Sequence, residues 1–327
     1  MLSGRVRLLA SAAAAGLAVA ACGSSAPAAS SGSAKGPELT HITVGTLAIT
    51  DAAPLFIAIE KGYFKRQGLT VTTKIVAQST AALPDMISGS VSIIGSGNYV
   101  SFFEAEAKGV AKVRILAAAS QCVGNTQNVL AMPSSKITTP AGLAGKTIAV
   151  NLTGNIQTLT INAVLKAKGI NPSSITYVEI PFPDMIPALT AGRVDAISEV
   201  EPFITSAENA GARSVLAQCQ GATASIPLSG YYATQAWVQK YPRTALAFQR
   251  AIEEAQAAAD ADPALVRQVI PAYTTIKPAV AARISLPYYP PTLNAAQLNR
   301  VVALMRSAGQ VSKSFSLTPM LYHPAGS

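Results

Sequence analysis

The feature that most constrains the fold is an order of strands and helices that occurs twice, in residues 41–95 and again in residues 146–198. In the first copy HITVGT, LTVTTKIV and VSIIG have the composition of strands, and helical segments separate them. In the second copy KTIAVN, SITYVEI and VDAIS follow in the same order. This alternation predicts a mostly parallel sheet covered by helices, so the doubled pattern predicts an α/β protein with two similar lobes.

The register of the repeat differs from the one that the string PDMI suggests, although that string occurs in both copies. A register that pairs Pro84 with Pro187 and Gly89 with Gly192 also aligns the strands that follow. It predicts a proline in the first turn of each helix and a glycine after the last turn. In this register Asp184 is predicted to be the N-cap of its helix and to face the space between the lobes.

Two extended stretches, residues 113–135 and 214–242, are predicted to carry the chain from the first lobe to the second and back. Two such crossings form a hinge. The remainder of the chain is mainly helical and is predicted to cover the first lobe. The predicted lobes are residues 38–126 with 230–327 for the first and residues 127–229 for the second.

The first residues have the pattern of an export signal. Arg5 and Arg7 precede an apolar run that is too short for a good membrane span, and small residues then lead to Cys22. The tetrad VAAC resembles a bacterial lipobox, which predicts a signal peptide in residues 1–21 and lipidation of Cys22. An ordinary signal peptide that happens to contain a cysteine is the alternative. Residues 22–37 are rich in Gly, Ser and Ala and predict a flexible tether about 20–25 Å long.

Charge and cysteine content restrict the partners and the compartment. The formal net charge of +9 falls by two when the signal peptide and its two arginines are removed, and the basic residues are scattered. This pattern does not favour nucleic acid as a partner. If Cys22 is acylated, Cys122 and Cys219 remain as a possible disulfide in an oxidising compartment. Two free buried thiols are the alternative.

Few residues are suited to catalysis or metal binding. The two histidines, His41 and His323, lie at the start of the first strand and in the C-terminal tail. The sequence has no G-x-S-x-G, P-loop, CxxC or HExxH motif. Glu199 and Glu201 are a possible carboxylate pair, but nothing completes an acid–base site around them. The sequence predicts neither an enzyme, a cofactor nor a metal site.

The predicted ligand site lies where the carboxyl ends of the strands lead into loops, because open α/β sheets bind ligands there. The six loops concerned are residues 46–53, 78–81, 95–99, 151–156, 181–185 and 198–203. They contain Asp and Glu but no Lys, Arg or His, which favours a neutral or amine-bearing ligand over a simple anion. Polar loop residues and nearby aromatic residues give the predicted ligand-binding set: Thr46, Asp51, Ser79, Thr80, Ser96, Asn98, Tyr99, Thr153, Gly154, Glu199, Phe203 and Tyr231.

Several stretches in a fixed order resemble a known family. They are VGTLAITDAAPLFIAIEKGYFKRQGL, MISGSVSIIGSGN, GLAGKTIAV and ALTAGRVDAISEVEPF. The order resembles the substrate-binding proteins of ABC importers for nitrate, aliphatic sulfonates, taurine and thiamine-precursor pyrimidines, over about residues 40–320. The family has an aromatic residue before a Glu-Pro pair, whereas this chain has Val200. Pyrimidine synthases that share the fold use a cysteine-rich motif and a histidine that have no counterpart in this chain.

The resemblance implies a type II periplasmic-binding-protein-like fold that closes on a small molecule and delivers it to a membrane permease driven by an ATPase. With the lipobox, it predicts a monomer anchored by lipid to the extracytoplasmic face of the cell membrane. An extracytoplasmic enzyme on the same scaffold and a ligand-sensing adaptor for a membrane receptor are the alternatives.

Overall fold

The computed structural model of the protein describes residues 36–324. The predicted signal peptide, Cys22 and most of the predicted tether lie outside the described residues. Within residues 36–324, none of the helices combines the length and the apolar character that crossing a bilayer requires.

Ten strands and twelve α-helices form the described chain. The strands are β1 His41–Thr46, β2 Thr70–Ile75, β3 Ile93–Asn98, β4 Val113–Gln121, β5 Gln127–Ala131, β6 Thr147–Val150, β7 Thr176–Glu179, β8 Ala196–Val200, β9 Arg213–Ala217 and β10 Pro227–Thr234. The helices are α1 Ala53–Glu60, α2 Tyr63–Arg66, α3 Leu83–Ser88, α4 Tyr99–Ala107, α5 Ile156–Ala167, α6 Phe182–Thr190, α7 Phe203–Asn209, α8 Gln235–Lys240, α9 Pro242–Ala261, α10 Pro263–Val269, α11 Pro278–Ala281 and α12 Ala295–Ser307.

The strands form two five-stranded sheets of the same design. The first has the order β2-β1-β3-β10-β4 and the second the order β7-β6-β8-β5-β9. In each sheet the first three strands in this order are parallel, and the fourth is antiparallel to both of its neighbours. The reversed strands, β5 and β10, are the ones that the chain enters after crossing between the sheets. The prediction of a two-lobed α/β fold is confirmed.

Alternate strand residues pack on opposite faces of each sheet, as the period of a strand requires. Ile93 belongs to a buried cluster with side chains of α1 and α9, and Ile94 belongs to one with α4 and α12. In the second sheet Ile197 packs with α6 and α7, whereas Ile148 packs with α5. Each sheet is therefore covered by helices on both faces.

The glycines that end the repeated helices occupy the predicted positions. Gly89 and Gly192 follow α3 and α6 with left-handed φ angles of 88° and 68°, which a residue with a Cβ rarely adopts. The strands that follow them pair alike, since β3 and β8 are each parallel to the first strand of their copy.

The predictions for Pro187 and Asp184 are wrong. Pro84 stands in the first two positions of α3, but in α6 that place belongs to Pro183, and Pro187 lies inside the helix. Asp184 is exposed in the first turn, and the N-cap is Pro181. The reason is that α6 is α-helical from its start, whereas the corresponding first turn of the first copy is a separate 3₁₀ turn before α3.

The two crossings run side by side. The backbone N–H of Cys122 donates to Ile226 O at 2.9 Å, and that of Gln218 donates to Gln127 O at 2.9 Å. A disulfide joins Cys122, just after β4, to Cys219, just after β9, with a Cα–Cα distance of 5.3 Å. The two crossing segments of the hinge are thus joined by a covalent bond as well as by hydrogen bonds.

Candidate functional site

A cavity of about 40 Å³ lies between the two sheets, at the carboxyl ends of their parallel strands. Every one of the six loops predicted from the sequence contributes at least one side chain to its wall. The first lobe contributes Leu47, Ile49, Asp51, Ser79, Ser96, Asn98, Leu228 and Ser229. The second lobe contributes Gln127, Asn151, Asn155, Ile156, Gln157, Phe182 and Val200.

Asp51 is the one charged side chain in this wall, and it is 7% exposed. Its Oδ2 accepts hydrogen bonds from the hydroxyl groups of Ser120 and Ser229, the latter at 2.5 Å. Burial raises the pKa of Asp51, and the two serine hydroxyls partly oppose that shift. Both hydroxyls contact Oδ2, so among the described residues Oδ1 has no side-chain donor.

The opposite wall is built from side-chain amides held in fixed orientations. Asn155 caps α5 by accepting from the N–H groups of Gln157 and Thr158. The Nε2 of Gln157 donates to Ser198 O at 2.7 Å, and its Oε1 accepts from Asn151 N at 2.8 Å. Amides offer donors and acceptors without a net charge. This wall therefore suits a polar ligand of either neutral or weakly charged character.

The two lobes are in contact around the cavity. Gln78 Nε2 donates to Asn151 O at 2.5 Å, and Asn151 Nδ2 donates to Ala77 O at 3.0 Å. On another side the N–H of Thr50 donates to Glu201 O at 3.1 Å. Apolar side chains add to these bonds, because Leu47 and Ile49 of the first lobe pack in the same cluster as Phe182 and Phe203 of the second. The structure is a closed form.

Ser96 has an unusual backbone within the wall. Its φ angle is 57°, a left-handed conformation that non-glycine residues seldom adopt. Its hydroxyl accepts from Thr46 Oγ1 at 3.3 Å, at the end of β1. Strained backbone of this kind is often found at binding sites, where the surrounding structure fixes it.

The structure places the predicted ligand-binding residues in three groups. Four of them line the cavity: Asp51, Ser79, Ser96 and Asn98. Six lie behind or beside the wall: Thr46, Thr80, Tyr99, Glu199, Phe203 and Tyr231, and all of these except Thr80 are buried. Thr153 and Gly154 are exposed and line a separate cavity of about 470 Å³ between α5 and α12.

Five polar wall residues were absent from the predicted set: Gln127, Asn151, Asn155, Gln157 and Ser229. Asn151 and Asn155 lie in the predicted loop of residues 151–156. Gln127 and Ser229 belong to the reversed strands that follow the crossings, and Gln157 lies in the first turn of α5. Their common signal is a polar residue beside a strand or helix end in an otherwise apolar stretch.

Glu199 is fully buried, and neither of its carboxylate oxygens has a hydrogen-bond partner among the described residues. Burial raises the pKa of Glu199 well above its usual range. The side chain lies next to the wall residue Val200 but does not line the cavity. No group of three or more His, Cys, Asp or Glu side chains in the described part of the chain is placed to hold a metal ion.

Two α/β lobes joined by two crossings, with a polar cavity between the carboxyl ends of their strands, have the architecture of the periplasmic binding proteins. The chain belongs to the NMT1/THI5-like family, whose sequence profile matches residues 49–265. The predicted resemblance is thereby confirmed at the level of family and fold.

The chain is 28% identical over 260 residues to the nitrate/nitrite binding protein NrtA of Synechococcus elongatus, which covers 72% of this chain and 58% of that protein. The chain thus spans less than two thirds of the length of this curated relative. Among solved structures it is similar to the alkanesulfonate-binding protein SsuA of Xanthomonas axonopodis pv. citri bound to MOPS, with a TM-score of 0.73, 18% identity and coverage of 87% and 99%.

A second similar structure is the ligand-binding component of an ABC-type import system from Staphylococcus aureus with zinc bound, with a TM-score of 0.74, 13% identity and coverage of 87% and 97%. At these identities the two structures establish the fold alone. All three names are those of binding proteins and none is that of an enzyme, in agreement with the prediction that this chain is not an enzyme.

Proposed function

We propose that the protein is an extracytoplasmic solute-binding protein that closes its two lobes on a small organic ligand and delivers it to an ABC importer. The observation that carries this proposal is the polar cavity, whose wall is contributed by all six strand-end loops of both lobes. Because β10 belongs to the first sheet from Pro227 onward, we assign residues 38–126 and 227–327 to the first lobe and residues 127–226 to the second. A ligand that contacts both lobes stabilises the closed form by those additional contacts.

The ligand is neutral or carries an amine. Asp51 is the one charged group in the wall, and Lys, Arg and His are absent from the side chains that line it. A simple anion in this cavity would meet a carboxylate and no compensating cation. The proposed ligand class therefore differs from the nitrate and alkanesulfonate that the names of similar proteins print. At about 40 Å³ the closed cavity accommodates only a few non-hydrogen atoms, so a larger ligand requires the lobes to be further apart.

The anchor and the partners follow from the N-terminal sequence and the family. Cys22 follows the predicted export signal and precedes a Gly/Ser/Ala-rich segment, and this motif supports the proposal that it is lipidated on the extracytoplasmic face of the cell membrane. The tether of residues 22–37 then holds the monomeric binding protein near the permease and its ATPase. A ligand-sensing adaptor would share the fold and the cavity but would present its closed form to a receptor.

Thermal unfolding in the presence of candidate ligands tests the proposal. We expect small amines or neutral polar molecules to raise the melting temperature by several degrees, and nitrate and alkanesulfonates to have no effect. Stabilisation by the anions alone would contradict the ligand class and leave the binding function standing. If amines, neutral polar molecules, nitrate and alkanesulfonates all fail to stabilise the protein, and the protein converts any of them to a product, the binding function itself is contradicted.

A further inference from the structure

A second surface of the molecule has the chemistry of an interaction site. The basal surface, as we name it, consists of Ile87, Val110, Lys112, Trp237 and Lys240. It lies around two adjoining hollows of about 610 and 430 Å³ that share Ile87. His41 at the start of β1 lines the larger one, whereas the ligand cavity begins just after the other end of β1. The basal surface is therefore at the end of the first sheet opposite to the cavity.

Two large aliphatic side chains are left in solvent on this surface. Ile87 is 54% exposed and Val110 is 56% exposed, and both line the smaller hollow. Ile87 lies in the last turn of α3 and Val110 in the loop that follows α4, so the fold brings two separate segments together here. Trp237, partly buried, lines the larger hollow beside them. An exposed aliphatic pair with a neighbouring indole resembles the residues that proteins place at the level of lipid headgroups.

The charge of the basal surface is positive. Lys112 and Lys240 are exposed, and among the described residues neither forms a salt bridge. Of the acidic residues around this surface, Asp85 is paired with Lys74 at 2.7 Å and Glu104 with Lys108. Glu106 accepts a hydrogen bond from the Val113 N–H at 2.7 Å, next to Lys112 in the chain, and forms no salt bridge among the described residues. Lys240 Nζ lies 5.1 Å from the centroid of the Tyr241 ring. Two lysines that form no salt bridge among the described residues, beside exposed aliphatic groups, fit an anionic, partly apolar surface.

The described chain begins at the same end of the molecule. Gly36 O accepts from Arg243 Nε at 2.8 Å, and Leu39 lines the larger hollow. Cys22 precedes Gly36 by fourteen residues, and a Gly/Ser-rich segment of that length has a typical reach of about 20 Å. Lipidation of Cys22 would hold this end of the first lobe close to the bilayer, and in this the inference rests on the proposed function.

We propose that the basal surface rests on an anionic phospholipid bilayer, with Ile87 and Val110 in the headgroup region and Lys112 and Lys240 beside lipid phosphates. Trp237 lies at the interface, where its apolar ring and its N–H both find suitable surroundings. In this pose the ligand cavity is at the far end of the first lobe, open to solutes. Delivery to the permease then requires release from the lipid, which weak binding allows.

Sedimentation with vesicles tests this proposal on the unacylated chain of residues 23–327, which retains every described element. We expect it to bind vesicles of equal parts phosphatidylglycerol and phosphatidylcholine and to bind pure phosphatidylcholine far more weakly. Lys112→Gln and Lys240→Gln should each lower the affinity about fivefold. Ile87→Glu with Val110→Glu should abolish binding, because these changes place charge where apolar contact is needed.

The matched control is Ile75→Glu. Ile75 is 50% exposed at the end of β2, on the cavity side of the sheet, so this change should leave vesicle binding intact. Equal binding by the double variant and the control, or no binding by the wild type, would overturn the proposal. A dimer in solution that the double variant abolishes would also overturn it, by showing that the surface binds a second copy. Ligand-induced thermal shifts, measured on the same variants, test the solute-binding function separately.

Discussion

Asn128 and Glu199 are directly paired across the antiparallel strands β5 and β8, and both keep buried oxygens without a hydrogen-bond partner among the described residues. Directly opposed side chains on neighbouring strands lie on the same face of the sheet. Burial raises the pKa of Glu199 well above its usual range, which favours the neutral acid, and the neutral acid has an O–H that an amide oxygen such as Asn128 Oδ1 can accept. A neutral acid–amide pair is far less costly to bury than a carboxylate.

The raised pKa of Glu199 makes the free energy of unfolding depend on pH. The folded protein retains this proton above the usual pKa of 4.5, whereas the unfolded chain loses it, so stability falls as pH rises from there through the raised pKa. Glu199→Gln removes this titration and should stabilise the protein at neutral pH by on the order of 1 kcal/mol. Denaturant unfolding of the wild type and the variant at several pH values measures this difference in the free energy of unfolding. Glu60→Gln, at an exposed position, serves as the control. If Glu199→Gln leaves the dependence of the free energy of unfolding on pH unchanged, Glu199 is not the group responsible for it.

Asp51 should make the binding of an amine depend on pH. Its pKa is raised by burial, and only the ionised carboxylate attracts a cation, so affinity should fall as pH drops through that raised pKa. Asp51→Asn should weaken binding about tenfold to a hundredfold, the usual range for losing a charged hydrogen-bond partner. Calorimetric titration across pH, with the exposed Asp184→Asn as control, gives the measurement. Binding that is insensitive to both pH and Asp51→Asn would place the ligand elsewhere.

The disulfide at the hinge should contribute to both stability and closure. Replacing Cys122 and Cys219 by Ser should lower the free energy of unfolding by about 2–5 kcal/mol, the usual effect of removing a native disulfide. A reductant should destabilise the wild type and leave the double variant unchanged. A count of two free thiols in the unfolded, unreduced wild type would end this interpretation.

Gly97 stands where no larger side chain fits. A Cβ at this position would lie 2.5 Å from Phe102 Cε2 and 3.0 Å from Tyr232 Cε2, two rings that stack with centroids 3.9 Å apart. Gly97→Ala should therefore destabilise the protein by about 1–3 kcal/mol, the usual cost of overpacking. Gly142→Ala is the control, because its nearest atom would be at an ordinary 3.4 Å. Equal melting temperatures for the two variants would show that the rings move aside.

The two-lobed fold and the cavity loops were predictable because they depend on local signals. Strand composition and helix-ending glycines gave the order of elements, and parallel sheets place the loops after their strands at one edge. Asp51, Ser79, Ser96 and Asn98 follow from that rule. Prolines were less informative, because Pro187 is accommodated within α6 and does not mark its start.

The rest of the site depends on tertiary structure. Gln127 and Ser229 reach the cavity because β5 and β10 reverse direction after the crossings, and no local pattern encodes that reversal. Tyr231 stands two residues further along β10 than Ser229, so it is buried in the core of the first lobe while Ser229 lines the wall. Thr153 faces away because its N–H and hydroxyl both donate to Glu179, at 2.9 and 2.6 Å.

The position of β10 sets an order of assembly during synthesis. All five strands of the second sheet lie between Gln127 and Ala217, so that sheet has its full set of strands as soon as this stretch has left the ribosome. The first sheet, although it begins at His41, lacks the strand between β3 and β4 until Thr234 has been made. Since chains fold from the N-terminus as they emerge, the half of the molecule that starts first is completed last. Until then β3 and β4 lack the strand that pairs with both of them.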